Sequence, residues 1–133
     1  MMSLLIVAIL ASVAYPTYKN NVLKARRVDA QCTLMAFANA MERYYAQNNT
    51  YLGAAFSGGN TGAPGVFSAT APLGGGSASY DLTINTVTAT SYTLMATPKG
   101  NQEGDLCGAL TLTDLGVKGI VNAANGISVS ACW

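Results

Sequence analysis

The first eighteen residues of the chain are almost uninterruptedly apolar, and no charged side chain occurs before Lys19. Eighteen helical residues rise about 27 Å, close to the ~30 Å apolar thickness of a bilayer. We therefore expect a helix that lies in a membrane or packs against equally apolar surfaces. Its apolar positions are Met1, Leu4, Leu5, Ile6, Val7, Ile9, Leu10 and Val13.

Pro16 interrupts this apolar segment near its end. Proline removes one backbone N–H and clashes with the carbonyl of residue 12, one turn back. We expect the helix to kink or to melt locally between Ser12 and Pro16.

The helical pattern continues to about residue 47. Leu34, Ala38, Met41 and Tyr45 recur at spacings of four, three and four, which places them on one face. There is no Gly before Gly53, and Asn48 and Asn49 are typical helix-stop residues. A single helix would be roughly 70 Å long, too long for the rest of the chain to cover. We expect residues 1–23 to project and the helix 24–47 to pack.

The second half of the chain changes its pattern. Residues 48–78 are rich in Gly and form a long irregular connection, with Tyr51, Phe56, Val66, Phe67 and Leu73 as apolar anchors. From residue 79 to 133, apolar and polar positions alternate in three runs, which is typical of half-buried antiparallel strands. A fourth strand is expected around 120–121 or 127–129. The pattern predicts an α+β fold in which the sheet covers the Leu34–Met41–Tyr45 face.

The composition argues against several classes of function. The chain has no His, the commonest general base and metal ligand, and only 10% of its residues are charged. We therefore predict no enzymatic activity, no cofactor, no metal and no small-molecule substrate. The net charge of +1 argues against a strongly basic nucleic-acid binder, although a local patch such as Lys24, Arg26 and Arg27 could contact DNA or anionic headgroups. Glu103 and Asp105 could bind Ca²⁺, but a solvated turn is the preferred interpretation.

Three cysteines leave several states open. A disulfide between Cys107 and Cys132 would close a loop and stabilise the fold by about 3.5 kcal/mol. Three reduced thiols are the alternative. Cys32 is expected to be a small buried residue on the helix, with an intermolecular bridge as the alternative. A cleaved signal peptide is also an alternative for the apolar segment, although no basic residue precedes it.

Four stretches in order resemble the type IV pilins of the proteobacterial major- and minor-pilin group. They are AYPTY at 14–18, KARRVDAQ followed by AMERYYAQNNTY at 40–51, YTLMATPKGNQEGDLCGALTLTDLGVKG at 92–119, and the terminal Cys-Trp. The resemblance implies a long N-terminal helix on a four-stranded antiparallel sheet. It also implies a Cys107–Cys132 disulfide that bounds the C-terminal loop.

The resemblance further implies a subunit held in the inner membrane before assembly. The apolar helices would then form the core of an extracellular helical filament, the pilus or fimbrium, and melt around Ser12 and Pro16. The implied partners are other copies of the chain, the pilus assembly machinery and a prepilin peptidase. A host surface or DNA is a further option. Arg26, Arg27 and Asp29 are candidates for charge contacts between subunits, with Arg27 facing acidic groups such as Asp29, Glu42, Asp105 or Asp114 of a neighbour.

The chain also departs from the family pattern. Pilins of this group carry a short basic leader and a Glu a few residues inside the mature helix. Here no leader is visible and the first acidic residue is Asp29. We expect the true start to lie upstream, and a subunit that lacks this Glu is the alternative. The peptidase site and the N-methylated residue are therefore not placed.

The predicted function is a secreted structural subunit that polymerises into a type IV pilus for cell adhesion, twitching motility or DNA uptake. The alternative is a minor pilin, or a type II secretion pseudopilin, that primes or caps a filament. A membrane-anchored binding protein is a third option.

Overall fold

A computed structural model describes the backbone of residues 2–71 and 77–133. Within these ranges it describes the side chains of residues 21–71, 77–100 and 102–133. In chain order the elements are α1 (Met2–Asn48), β1 (Thr70–Ala71), β2 (Tyr80–Val87), β3 (Tyr92–Pro98), β4 (Ala109–Thr113), β5 (Lys118–Val121) and α2 (Val129–Cys132). Two 3₁₀ turns, Phe56–Gly58 and Gly100–Gly104, complete the chain.

Helix α1 ends where the Asn residues predict that it should. Asn49 adopts a left-handed conformation with φ 58°, and its N–H donates to the Tyr45 carbonyl at 2.7 Å. Asparagine tolerates this backbone region better than other residues with a Cβ, so it closes the last turn at little cost. The chain then turns back along the head.

The sheet is an antiparallel meander in the order β1-β2-β3-β4-β5. Along β2 and β3 buried residues alternate with partly exposed ones, as the period of two predicts. Leu82 pairs with Ala96, and Leu94 pairs with Leu112 across the next strand boundary. One face of the sheet is therefore continuously apolar, and it packs on α1.

The core lies between this face and one side of α1. Leu34 and Met41 are fully buried, and Ala38 and Tyr45 are half-buried against the same core. Phe37 stacks on Phe67 of the connecting segment, with ring centroids 5.2 Å apart. The helix thus meets both the sheet and the loop that leads to it.

Three expectations about the head were wrong. The sheet has five strands rather than four, because the connection predicted to be irregular contributes β1. Within that connection Tyr51 is buried and Val66 and Phe67 are half-buried, but Phe56 is 72% exposed and anchors nothing. Leu73 lies outside the described residues. Cys32 is exposed, not buried, because it lies on the side of α1 away from the sheet.

The expectations for residues 1–23 mostly fall on side chains that are not described. The backbone of α1 is helical without interruption from Met2. Melting around Ser12 and Pro16 in an assembled filament stays a prediction. The same holds for the packing of Met1, Leu4, Leu5, Ile6, Val7, Ile9, Leu10 and Val13, and for the division into 1–23 and 24–133. Across the side chains that are described, no helix includes a stretch long and apolar enough to cross a membrane.

Candidate functional site

Helix α1 begins long before its first fully buried side chain among those that the structure describes. Among the described side chains of α1, Ala30 is the first that is fully buried, and residues 21–29 are all at least partly exposed. Between Met2 and Ala30 the helix rises roughly 42 Å. Residues 21–29 therefore form a junction between the N-terminal part of the helix and the part that packs in the core.

An ion pair holds this junction. Arg27 Nη1 donates to Asp105 Oδ1 at 2.7 Å, with only 12% and 4% of the two side chains exposed. The Tyr80 hydroxyl donates to the second carboxylate oxygen at 3.4 Å. Burial, with the nearby Asp105 charge as a further cause, raises the pKa of Tyr80 to about 12, so the hydroxyl keeps its proton. The Asp105 carboxylate thus accepts hydrogen bonds from two donors.

Gln102 extends the same network to the helix backbone. Its side chain is fully buried, and Nε2 donates to the Tyr80 hydroxyl at 3.0 Å and to the Leu23 carbonyl at 2.8 Å. The head therefore holds α1 at Leu23 and Arg27, one turn apart. We call Arg27, Asp105, Tyr80 and Gln102 the junction clamp.

The disulfide predicted from the family resemblance is present. Cys107 and Cys132 are bonded, and the Cys132 carbonyl accepts a hydrogen bond from Gln31 Nε2 of α1. The C-terminal loop is thereby fixed to α1 at Gln31, about one turn after Arg27 of the junction clamp. At its end, Trp133 Nε1 donates to the Gly119 carbonyl at 3.0 Å, and Lys118 Nζ lies 5.4 Å from the indole centroid.

A second polar cluster lies near the other end of the packed half-helix. Glu42 accepts hydrogen bonds from the Tyr51 hydroxyl at 3.0 and 3.1 Å and from the Tyr92 hydroxyl at 3.1 Å. Burial, followed by these bonds to Glu42, raises the pKa of Tyr51 to about 12 and raises that of Tyr92 further. Tyr45 packs on Tyr51 with centroids 4.6 Å apart. Through these contacts Tyr45, Tyr51 and Tyr92 have a structural role in the head.

The charged residues that were predicted to contact neighbouring subunits have different surroundings in the structure. Arg27 is paired with Asp105 within its own chain, and its contact with a neighbouring subunit stays a prediction. Arg26 and Asp29 do line a common cleft of about 550 Å³ beside Lys99, but they form no ion pair there. For these two the intersubunit contact stays a prediction.

The expectation of a solvated turn is confirmed for Glu103 and wrong for Asp105. Glu103 is exposed, whereas Asp105 is buried and held by the junction clamp. Within the described side chains, no three Cys, Asp or Glu residues gather in a way that could hold a metal ion.

Gln102 was missed as a functional position, and Asp105 was named as a partner of Arg27 only from a neighbouring subunit, not within the chain. They follow Arg27 by more than seventy residues, and nothing local distinguishes them from solvent-exposed turn residues. The pairing of Glu42 with Tyr92 is equally long-range. No pattern of spacing could have found these contacts.

This architecture is similar to that of type IV pilins. A family model described as type IV minor pilin ComP, DNA uptake sequence receptor, matches residues 16–111. No curated protein shows a significant match. The non-core minor pilin PilV of Neisseria meningitidis has a similar structure, with a TM-score of 0.58, 22% identity and coverage of 83% of this chain and 95% of that chain.

A second solved structure is a type IV pilin from Shewanella oneidensis. It matches with a TM-score of 0.50 and 28% identity, over 84% of this chain and 97% of that chain. Both structures share the α+β arrangement of a long helix on an antiparallel sheet.

Proposed function

The chain belongs to the type IV minor pilin ComP family, and from this premise we propose that it is a minor pilin that joins a type IV pilus through α1. The observation that supports it is the length of α1 before its first fully buried described side chain, since the helix begins at Met2 and Ala30 lies roughly 42 Å further along. The apolar sequence of its first eighteen residues must be buried somewhere, and neighbouring pilin helices offer the matching surface.

The junction clamp supports this role. A subunit whose helix is shared between a filament core and a surface head needs a rigid connection between them. The clamp fixes α1 at Leu23 and Arg27 through side chains of the head. The head would therefore take a defined orientation on the filament surface.

The family description favours a minor pilin over the main filament subunit that the sequence alone put first. Before assembly, the subunit would be held in the inner membrane by residues 1–23. It would then pass to the assembly machinery after processing by a prepilin peptidase. Contacts of Arg26 and Asp29 with neighbouring subunits belong to the same proposal.

The test compares cells that express the chain with cells that lack it. Electron microscopy of sheared filaments should show pili in both, and mass spectrometry should find peptides of this chain as a small fraction of the pilus material. If deletion removes all filaments and this chain forms the main band, the subunit is the body of the filament instead.

A matched pair of variants tests the role of α1. Leu10→Arg places a charge in the apolar segment at a cost of roughly 2.5–3.5 kcal/mol in a membrane, and should remove the chain from sheared filaments. Leu115→Arg, at a side chain that is 84% exposed, should leave incorporation unchanged. Equal incorporation of the two variants would contradict the proposal.

DNA binding is a second candidate function. The family description names a DNA uptake sequence receptor, and among the described side chains Lys24, Arg26, Arg43 and Lys118 have no acidic partner within ion-pair distance. Such unpaired cations are available to phosphates. The indole beside Lys118 adds a flat surface on which a base could stack.

Salt-dependent binding to duplex DNA tests this candidate. If the head contacts phosphates, log affinity should fall linearly with log salt, by a slope of about −0.9 for each phosphate contacted. Lys118→Glu should weaken binding and reduce the slope, whereas Lys99→Glu, at a residue already paired with Asp81, should change it less. Binding that ignores both salt and the Lys118 substitution would contradict a phosphate contact.

A further inference from the structure

The packed half of α1 carries a second apolar face that points away from the sheet. Ala25, Val28, Cys32 and Met35 recur at spacings of three, four and three, so they share one side of the helix. Val28 and Met35 are 45% and 44% exposed, and Ala25 and Cys32 are also exposed. We call these four residues the outer seam.

The outer seam lies opposite the face that packs on the sheet. Successive helical residues are rotated by about 100°, which places Ala30, Leu34, Phe37 and Met41 roughly half a turn from the seam. The described part of the chain leaves the seam uncovered along its length.

The seam covers two heptads of the a and d spacing at which helices pack in a two-stranded coiled coil. Ala25 and Cys32 take the a positions of a heptad, and Val28 and Met35 take the d positions. The next a position is Asn39, which is exposed. A single asparagine at an a position specifies register and a two-stranded state. We propose that the outer seam binds the outer seam of a second copy of this chain, with the two helices parallel and in register.

Charge complementarity supports this occupant and this orientation. Lys24 occupies the g position before the seam, and Asp29 occupies the following e position. In a parallel pair in register, g of one helix lies beside the e that is five residues further along the other. Lys24 would therefore meet Asp29 of the second copy, twice by symmetry. Neither residue has an ion pair among the described side chains.

The pair differs from a filament contact in its symmetry. A two-fold pair joins the same surface on both copies and closes on itself, whereas contacts between different surfaces propagate into a helix. A seam of four residues is weak alone, so the pair rests on the proposed membrane-anchored stage, which holds both helices parallel and at high effective concentration. The closed pair would be a pre-assembly state of the subunit.

Cys32 makes the pair measurable. As an a residue it faces its own counterpart across the two-fold axis. With diamide as the added oxidant, the two thiols lose two protons and two electrons to the diamide, and one intermolecular disulfide forms. The full-length chain in membranes of the expressing cells should then give a dimer on a non-reducing gel, and Cys32→Ala should abolish it.

A cysteine walk in the Cys32→Ala background tests the orientation. Val28→Cys and Met35→Cys should each restore the dimer, because every seam position faces its own copy when the helices are parallel and in register. Gln47→Cys, at an exposed residue outside the seam, should not. A dimer from only one of the positions 28, 32 and 35, or an equal dimer from position 47, would overturn the proposal.

A charge swap tests the flanking contacts. Lys24→Glu should lower the dimer yield roughly tenfold, since it replaces two attractions by two repulsions. The double variant Lys24→Glu/Asp29→Lys should restore it. No change in the single variant, or no recovery in the double variant, would overturn the assigned register. Pilus incorporation is scored separately in sheared filaments, so a failure of the proposed pilin role can be told apart from a failure of pairing.

Discussion

Arg27 of helix α1 and Asp105, which follows the second 3₁₀ turn, form a buried ion pair with an Nη1–Oδ1 distance of 2.7 Å. Both side chains are almost fully removed from water, and the second oxygen of the carboxylate faces the Tyr80 hydroxyl. Such a pair is costly to break from one side only, because the remaining charge stays buried. Removal of either partner alone should therefore destabilise the head.

Arg27→Met should destabilise the head by about 3–5 kcal/mol, because it leaves the Asp105 carboxylate buried without its cation. Denaturant unfolding of residues 21–133 under oxidising conditions measures this loss. Lys99→Met is the matched control, since its pair with Asp81 is about half exposed and should contribute at most about 1 kcal/mol. Equal losses in the two variants would show that the clamp contributes little.

The hydrogen bond from Gln102 to Leu23 predicts where the head can be shortened. Residues 21–133 should fold without the apolar segment, because the described core contacts begin at Ala30. Residues 24–133 lack the Leu23 carbonyl, which leaves a buried donor with one partner fewer. We expect this shorter form to fold with about 1 kcal/mol less stability, measured by thermal unfolding. A higher stability of the shorter form would contradict the assigned role of Gln102.

Met41→Asp should abolish folding of the head. Met41 is fully buried between α1 and the sheet, and an isolated carboxylate there finds no partner. Circular dichroism and protease resistance of the purified head measure the effect. Met35→Asp changes the same residue type at a position that is 44% exposed and should leave the head folded.

The tyrosines that donate to Glu42 predict a loss of stability at high pH. The pKa of Tyr51 is about 12 in the folded chain and about 10 when unfolded. Between these values the unfolded chain loses a proton that the folded chain keeps, so the free energy of unfolding falls as the pH rises. Below pH 10 this contribution is fully present.

Tyr92→Phe should make that alkaline decline shallower, since it removes a second group whose pKa is raised in the folded state. Glu42→Gln should act in the same direction, because the bonds to Glu42 follow burial as a cause of both shifts. Unfolding measured from pH 8 to 12 gives the slopes. An unchanged slope in both variants would contradict the cluster.

Gly108 should tolerate no side chain. Its φ is +65°, and a Cβ there would lie 2.3 Å from the Val121 carbonyl oxygen. Gly108→Ala should therefore separate the start of β4 from the end of β5 and lower the melting temperature strongly. Gly100→Ala is the matched control, because its φ of +59° carries similar strain while a Cβ there meets nothing within 4 Å. Similar melting temperatures would exclude the steric explanation.

The extent of α1 and the three longer strands could be predicted because their signals are local. The absence of Gly before Gly53 and the Asn pair at 48–49 determine where the helix ends, and alternation marks β2, β3 and β4. Strand β1 could not be predicted in this way. It has two residues, too few for any period, and it exists because Thr70 and Ala71 pair with the edge of β2.

Less of the candidate site than of the fold could be predicted from the sequence. Asp105 has the sequence environment of a solvated turn, and only the fold brings Arg27 to it across 78 residues. Cys32 was expected to be buried because cysteine usually is, but its heptad position lies opposite Leu34 and Phe37. Residue type predicts average burial, whereas the angular position around the helix determines the actual burial.

Because the two faces of α1 lie half a helical turn apart, the free-energy effects of substitutions on one face should be independent of those on the other. Changes at Leu34 or Met41 act on the fit to the sheet, and changes at Val28 or Cys32 act on a surface that shares no contacts with it. Free-energy effects at sites without shared partners usually add. Thermal tolerance and self-recognition can therefore be adjusted separately in one helix, by engineering or by natural drift, without one constraining the other.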